Sequence, residues 1–302
     1  MARVISFTVA AFLIAAAACA SDGSDGPPGD AAGAYPVTVG SVTIAQRPER
    51  IVSLSPTATE ILFAVGAGDQ VVAVDDQSNY PDDAPTTDLS GFEPNIEAIV
   101  GYEPDLVVFA NDLGDLAAGL EAADVPALLQ PAAATLDDTY AQITDLGRAT
   151  GHVEEAAEVV EEMQAEVAAI VDAAPQDGRT YYHELDQTYF TVTSDTFIGQ
   201  VYSLFGLRNI ADEAGEEGNQ YPQLSAEAIV DADPDLIFLA DTKCCDQSAE
   251  TVAARPGWGG LTAVRTGGVV ALDDDIASRW GPRIVDLLRD VAAAIEALDE
   301  AA

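Results

Sequence analysis

Short apolar runs alternate with helical stretches along most of the chain. Ile51–Leu54, Val71–Val74, residues 106–110 and Ala127–Leu129 are such runs, and each reads as a buried strand. Helices are predicted between them. Ser55 suits an N-cap, with Pro56 at the first helical position and Gly66 as the stop. Thr57 and Glu60 offer an alternative capping box for that helix. Asn95 caps a helix ending near Gly101, and two more cover residues 113–123 and Leu136–Thr150. Around the Gly40-Ser41 pair, residues 35–44 carry β-branched positions and predict a hairpin. Strand–helix alternation of this kind builds parallel βαβ units with helices on both faces.

Residues 152–172 break the alternation. Val153, Ala156, Val160, Met163, Val167 and Ile170 recur at spacings of three and four, with Glu154, Glu155, Glu158, Glu161, Glu162 and Glu166 between them. The pattern predicts one amphipathic helix of about 20 residues, roughly 30 Å long, enough to cross from one lobe to another. Pro175 to Gly178 ends it. The alternation then restarts, with strands over Thr180–Glu184, 189–193, 236–240 and 269–272. Helices are expected over 197–205, from Ser225 to about Asp231, and over 282–298.

The two halves share a repeat. Residues 97–106 read EAIVGYEPDL and residues 227–236 read EAIVDADPDL, identical at seven of ten positions. Each copy follows a capping residue (Asn95, Ser225) and an aromatic one (Phe92, Tyr221), and each leads into an apolar strand. Glu97 and Glu227 fall in the first helical turn, where the helix dipole favours an acid by about 0.3–1 kcal/mol.

Composition narrows the function. Hydrophobic residues make up 48% of 302, enough for a sizeable core. Asp and Glu number 52 against 12 Lys and Arg, a formal charge of −40. Such a chain is repelled by phosphate backbones and has no basic patch for anionic lipid. High external salt would screen that self-repulsion and suits a salt-tolerant host.

The amino terminus reads as an address. Arg3 precedes an apolar run over residues 4–18 that ends Ala16-Ala17-Ala18-Cys19. This fits a signal peptide over 1–18 with Cys19 as the lipid-bearing residue of a bacterial lipoprotein. Residue 16 is Ala where such signals usually carry Leu, so plain secretion after Ala18 or Ala20 is the alternative. Residues 19–34, rich in Gly, Ser, Asp and Pro, form a tether. The expected division beyond it is an N-terminal lobe over 35–151, a bridging helix over 152–174 and a C-terminal lobe over 175–302.

RIVSLSPTATEILFAVG (residues 50–66), SNYP (78–81), the two EAIV…PDL segments and the linking helix together resemble the class III, or cluster A, substrate-binding proteins of ABC importers, the ferric-siderophore and cobalamin binders. The resemblance implies an α/β fold of two similar parallel-sheet lobes, bridged by one long helix, with the ligand cleft between them. It implies an extracytoplasmic, monomeric, non-enzymatic protein held at the membrane only by its lipid. Such a protein captures a metal chelate, a corrinoid such as cobalamin or a ferric siderophore, and needs no cofactor of its own. Its partners are the permease and the ATPase subunits, and Glu97 and Glu227 match the one exposed acid per lobe that docks on the permease. A haem carrier, or a sensory or enzymatic lipoprotein on the same scaffold, is the alternative.

Ligands of open α/β sheets bind beyond the carboxyl ends of the strands. That rule selects Ser55, Pro56, Tyr80, Asp275, Arg279 and Trp280, and Phe92 and Tyr221, ahead of the repeated helices, are expected to face the same cleft, an aromatic set with a few polar groups. Arg279 either meets a ligand carboxylate or phosphate or pairs with Asp274 or Asp275. Cys244 and Cys245, on another such loop, are the pair left once Cys19 is lipidated. Adjacent Cα atoms lie about 3.8 Å apart, under the usual disulfide span of about 4.4–6.8 Å. A strained vicinal disulfide, free thiols and metal ligation are the three readings. His152 reads as solvated and His183 as a satisfied strand histidine, and two His in all disfavour a zinc carrier. No nucleophile elbow, phosphate loop or zinc-protease motif occurs. The charge also sets an expectation for stability: the unfolding midpoint rises as sodium chloride is added, and a flat or falling midpoint in a salt series would contradict it.

Overall fold

The computed structural model describes residues 35–176, 178–214 and 218–301. The proposed signal peptide, Cys19 and the tether lie outside them. The first half holds the hairpin β1 (Val37–Val39) and β2 (Val42–Ile44), then β3 (Ile51–Leu54), α1 (Pro56–Ala64), β4 (Val71–Val74), α2 (Ile96–Val100), β5 (Leu106–Phe109), α3 (Leu116–Ala122), β6 (Ala127–Leu129) and α4 (Leu136–Thr150). The long helix α5 (Val153–Ala173) follows. The second half holds β7 (Thr180–Glu184), α6 (Phe197–Ser203), β8 (Arg208–Asn209), α7 (Ala226–Ala232), β9 (Leu236–Leu239), α8 (Thr242–Cys245), α9 (Ala249–Ala253), α10 (Thr262–Thr266), β10 (Val269–Ala271), α11 (Asp274–Ala277) and α12 (Ile284–Ala301). No helix among the described residues is long and apolar enough to cross a membrane.

Each half builds one four-stranded parallel sheet, ordered β4-β3-β5-β6 in the first and β10-β9-β7-β8 in the second. The central strands are buried on both faces, which explains their unbroken apolar runs. One apolar cluster runs through both lobes. It joins Ile51 and Val108 to Tyr181 and Phe238 by way of Ile61, Ile143, Met163, Leu288 and Ile295. Helices α1, α4, α5 and α12 are therefore shared packing, and the lobes are not beads on a hinge. Two satellite clusters cover the outer sheet faces. At the α4–α5 crossing Gly147 is required, since a Cβ there would stand 2.3 Å from that of Ala156.

The repeat folds alike in both lobes. The side chains of Asn95 and Ser225 each accept from the N–H three residues on, both at 3.1 Å. Ile99 and Ile229 are fully buried. Glu103 and Asp233, equivalent positions before a proline, both take the left-handed region with φ of 50° and 43°.

Several expectations change. Residues 189–193 form no strand: Tyr189 has φ 72°, and the segment bonds residues 220–224 through Thr191, Thr193 and Leu224 with only a single bridge between Phe190 and Gln223. Residues 113–123 are not one helix, because Gly114 and Asp115 turn left-handed and leave a 3-10 turn ahead of α3. Glu60 forms no capping box; Ser55 caps α1 by accepting from Ala58 N–H at 3.3 Å. His152 is not solvated. Its ring lies in hydrogen-bonding contact with Arg47 at 2.9 Å and Gln70 at 3.2 Å, and burial and the Arg47 charge lower its pKa. His183 is satisfied on one side only. Its Nδ1 meets the Tyr202 hydroxyl at 2.8 Å, its Nε2 has no partner, and burial lowers its pKa to about 3.

The second lobe buries an unbalanced charge. Arg255 donates two 2.6 Å hydrogen bonds to the fully buried carboxylate of Glu184. Asp241, just past β9, is as deeply buried, and neither of its oxygens has a partner. Burial first, and then the Glu184 carboxylate, raise its pKa to about 7. The unfolded chain gives up this proton near pH 4, the folded one near 7, so stability falls as pH rises through that window and levels off above it. Asp241→Asn abolishes that slope, so its melting temperature gains on the wild type between pH 5 and pH 8. Parallel melting curves at the two pH values would show Asp241 to be ionised throughout.

Candidate functional site

The carboxyl ends of the first sheet open on a cleft of about 270 Å³. Its N-lobe wall is made by the turn from β3 into α1 (Leu54 to Thr57), the loop after β4 (Asp75, Gln77), Gly91 and Phe92, and the loop after β5 (Ala110, Asn111). The C-lobe supplies Asp275, Ser278, Arg279 and Trp280, all from α11 and the turn after it. Six residues singled out from sequence thus meet here: Ser55, Pro56, Phe92, Asp275, Arg279 and Trp280.

Two do not line this cleft. Tyr80 lies in a separate cavity of about 370 Å³ with Glu60, Phe63 and Pro282, its ring 4.1 Å beneath the Arg283 guanidinium. Tyr221 stands 55% exposed, beside the segment that Phe190 bridges; Phe190 is itself 40% exposed. Sequence reading passed over Phe190 because it placed residues 189–193 in a strand. Asp75, Gln77 and Asn111 belong to strand-end loops that the rule does select, but nothing in their type sets them apart from their neighbours.

Arg279 organises the site. Its Nη1 donates to Glu60 Oε1 at 2.8 Å, and its Nη2 donates to the Gln77 carbonyl (3.0 Å), Asn79 Oδ1 (3.0 Å) and Asp275 Oδ1 (2.9 Å). Of the two sequence readings the internal one is realised with Asp275, and Glu60 joins it from the opposite lobe. Glu60 is 3% exposed and also accepts from Arg283, at 2.5 Å on Oε1 and 3.1 Å on Oε2. Gly281 lets the chain pass this carboxylate, since a Cβ there would lie 3.2 Å from Oε2. Two further bonds cross between the lobes. Asn79 donates to Asp275 Oδ2 at 3.1 Å, and Trp280 Nε1 donates to Gln142 Oε1 at 3.0 Å.

Asp275 is held on every side. Burial opposes its charge, yet hydrogen bonds from Lys243 and Asn79 and the Arg279 charge outweigh burial and keep its pKa below the usual carboxylate range. Asp75, by contrast, is raised, chiefly by burial. Its Oδ1 lies 2.6 Å from Ser78 Oγ, and Gly91 makes room for Oδ2, which a Cβ would approach to 2.7 Å.

Cys244 and Cys245 are free thiols on α8, so the vicinal bridge is not present. Asp274 fixes their helical turn by accepting from the N–H groups of Thr242, Lys243 and Cys244 at 2.8–2.9 Å. A hydrogen bond with Cys245, followed by burial, pushes the Cys244 thiol up to about 12. Among the described residues no group of three or more His, Cys, Asp or Glu is placed to hold a metal ion.

Glu97 and Glu227 are exposed on the first turns of α2 and α7. In each lobe the helix directly precedes a buried strand of the sheet, α2 before β5 and α7 before β9.

Known proteins place this architecture. A cobalamin-binding protein of Halobacterium salinarum is 35% identical over 282 residues, covering 88% of this chain and 75% of the relative. The crystal structure of the periplasmic vitamin B12 binding protein of Vibrio cholerae is similar with a TM-score of 0.70 at 26% identity, over 84% of this chain and 98% of that one. A periplasmic heme-binding protein of Roseiflexus sp. RS-1 in apo form is similar with a TM-score of 0.74 at 26% identity, over 83% and 99%. The family model described as periplasmic binding protein matches residues 51–276. With two parallel-sheet lobes closed around a strand-end cleft, the chain belongs to the periplasmic binding protein family.

Proposed function

We propose that this chain is the substrate-binding component of an ABC importer and that its ligand is a corrinoid of the cobalamin type. The observation that carries the ligand class is the state of Arg279. It is the one cation in the cleft lining among the described residues, and two carboxylates, Glu60 and Asp275, already match it. A haem brings two carboxylates and a tris-catecholate ferric siderophore brings net negative charge. Neither finds an unpaired cation here, and burying unpaired charge is costly. A corrin rim carries mainly amides, which suit the hydroxyl, carbonyl and carboxyl groups of this cleft. The name of the Halobacterium relative points the same way.

In this reading Ser55, Pro56, Asp275, Arg279 and Trp280 contact one face of the chelate. The exposed rings of Phe92, Tyr221 and Phe190 flank the rest at the rims. Transfer follows from the surface: Glu97 and Glu227 are the docking pair for arginines of the permease, one on each lobe. The protein is held outside the cytoplasm, with Cys19 carrying a lipid.

Titration of the purified protein by calorimetry with cyanocobalamin, a neutral ferric hydroxamate and haemin tests the ligand. Saturable binding of cyanocobalamin at micromolar Kd or tighter is expected, with haemin at least about tenfold weaker, a difference of about 1.4 kcal/mol. Preference for haemin would overturn the charge argument. For docking, Glu97→Lys combined with Glu227→Lys is expected to abolish uptake in cells while leaving the Kd for cyanocobalamin unchanged. Undiminished uptake would remove these two residues from the permease interface.

A further inference from the structure

Asp241 stands at a helix cap and caps nothing. It occupies the N-cap position of α8, yet its side chain accepts from no N–H of that helix. Asp274 does so instead, through Thr242, Lys243 and Cys244. Lys243, two residues along, reaches away to Asp273 and Asp275. The Asp241 carboxylate is fully buried, and neither oxygen has a hydrogen-bond partner among the described residues. Arg255 does not serve it: Nη1 and Nη2 go to the two oxygens of Glu184, and Nη2 also goes to Gln247 Oε1 at 2.7 Å. Tyr182 alternates with Tyr181 and His183 along β7 and so shares a sheet face with Glu184. Its hydroxyl is buried and unpartnered as well, and Glu184, Arg255 and Asp241 all act on it electrostatically. The repeat shows what kind of position this is. The strand registers Leu54 to Phe109 and Glu184 to Leu239 carry the 130-residue offset of the repeat (227 − 97) through both sheets. Glu184 and Asp241 therefore correspond to Leu54 and Asn111, two residues that line the ligand cleft in the N-lobe.

We infer that this corner of the C-lobe is a binding site for a monovalent alkali cation, with the Asp241 carboxylate as its charged ligand and the Tyr182 hydroxyl as a neutral one. Charge fixes the class of ion. Arg255 neutralises Glu184, so the single negative charge of Asp241 is left to balance, and burying it unpaired is costly. A singly charged ion balances it. A divalent ion would leave the core positive, and among the described residues no group of three or more His, Cys, Asp or Glu is placed to hold one. The ligand type agrees: a carboxylate and a hydroxyl offer oxygen lone pairs, and here neither spends them on another donor. The exterior supplies the ion, since a chain of net charge −40 concentrates cations at its surface. A proton is the competitor for the same carboxylate. The ion enters as that proton leaves, so the charge stays balanced, and the pH slope described above belongs to the ion-free protein. Bound there, the ion ties the turn between β9 and α8 to β7.

Thermal unfolding at pH 8 in the chloride salts of lithium, sodium, potassium, rubidium and choline tests the site. All five are used at about 1 M, so screening is the same in every sample. The wild type is expected to melt at least about 3 °C higher in one of the alkali salts than in choline. In Asp241→Asn, whose amide calls for no counter-charge, that advantage is expected to vanish. Equal melting of the wild type in all five salts overturns the proposal. So does an advantage that Asp241→Asn keeps, because the ion then acts elsewhere on the surface. Tyr182→Phe is the second variant; it removes one ligand and leaves the charge in place. The concentration of the effective salt that gives half of the gain is expected to rise severalfold in it, and an unchanged midpoint overturns the site as assigned. If Asp241→Asn does not fold, Tyr182→Phe decides alone. None of these measurements uses a chelate, so their outcome is independent of the corrinoid reading.

Discussion

The cleft depends on one buried contact, the guanidinium of Arg279 against the carboxylate of Glu60. Through it the turn after α11 is tied to α1, and through the Nη2 of the same arginine it is tied to the loop after β4. Three of the segments that line the cleft are thus fixed by one side chain. Such a pair adds little net stability over an apolar replacement, but losing one partner costs about 3–5 kcal/mol because the other charge stays buried. Its worth is in geometry. Arg283 shares Glu60, Trp280 reaches Gln142, and the apolar cluster continues beneath them from one sheet to the other. With that much packing common to both lobes, wide opening of the lobes would break buried contacts.

Much of this was legible in the residues. The strands over Ile51–Leu54, Val71–Val74, Leu106–Phe109 and Leu236–Leu239 are apolar for a plain reason: both faces of a parallel sheet are covered. The long helix declared itself by period, and the repeat by identity. What failed was local. Tyr189 and Asp115 turn left-handed without being glycine, so nothing in β-branched or helical composition forewarns of the break. The strand-end rule found the C-lobe wall, yet it could not tell Tyr80 from Asp75 within a single loop, because which of them faces the cleft depends on the path of the loop. Glu60 was harder still. In sequence it is a helical acid suited to a cap, and its partners lie some 220 residues away.

The distribution of cations follows from their scarcity. Of the 12 Lys and Arg in the chain, several described ones are turned inward or pinned along element seams. Arg255 binds buried Glu184, Arg47 the Thr150 carbonyl, and Arg50 the carbonyls of Tyr102 and Glu103, while Arg289 joins α12 to Glu166 on α5. Apart from buried Glu60, Asp75, Glu184 and Asp241, most acids stand on the surface, with the outer face of α5 as the clearest case. A surface so uniformly negative repels itself and any anion at low salt, while at about 1 M salt the Debye length falls to about 3 Å and only contact-range pairs keep their strength. The internal pairs that shape the cleft are of that kind, so its geometry is insulated from the ionic strength outside.

That separation bears on ligand choice. A negative exterior lowers the local concentration of an anionic chelate only while its field reaches into solvent, and salt removes that filter. Discrimination in a salt-rich medium must then come from the wall itself, where desolvation makes each unmatched charge costly whatever the bulk ionic strength. On the corrinoid reading, a lining whose cation is already paired, as Arg279 is by Glu60 and Asp275, supplies that kind of filter. On that reading a charged edge is left unpaired, and an amide edge meets the hydroxyl, amide and carboxyl groups of the lining. The surface and the cleft thus address two different problems, solubility and selection, and the buried Arg279 belongs to the second.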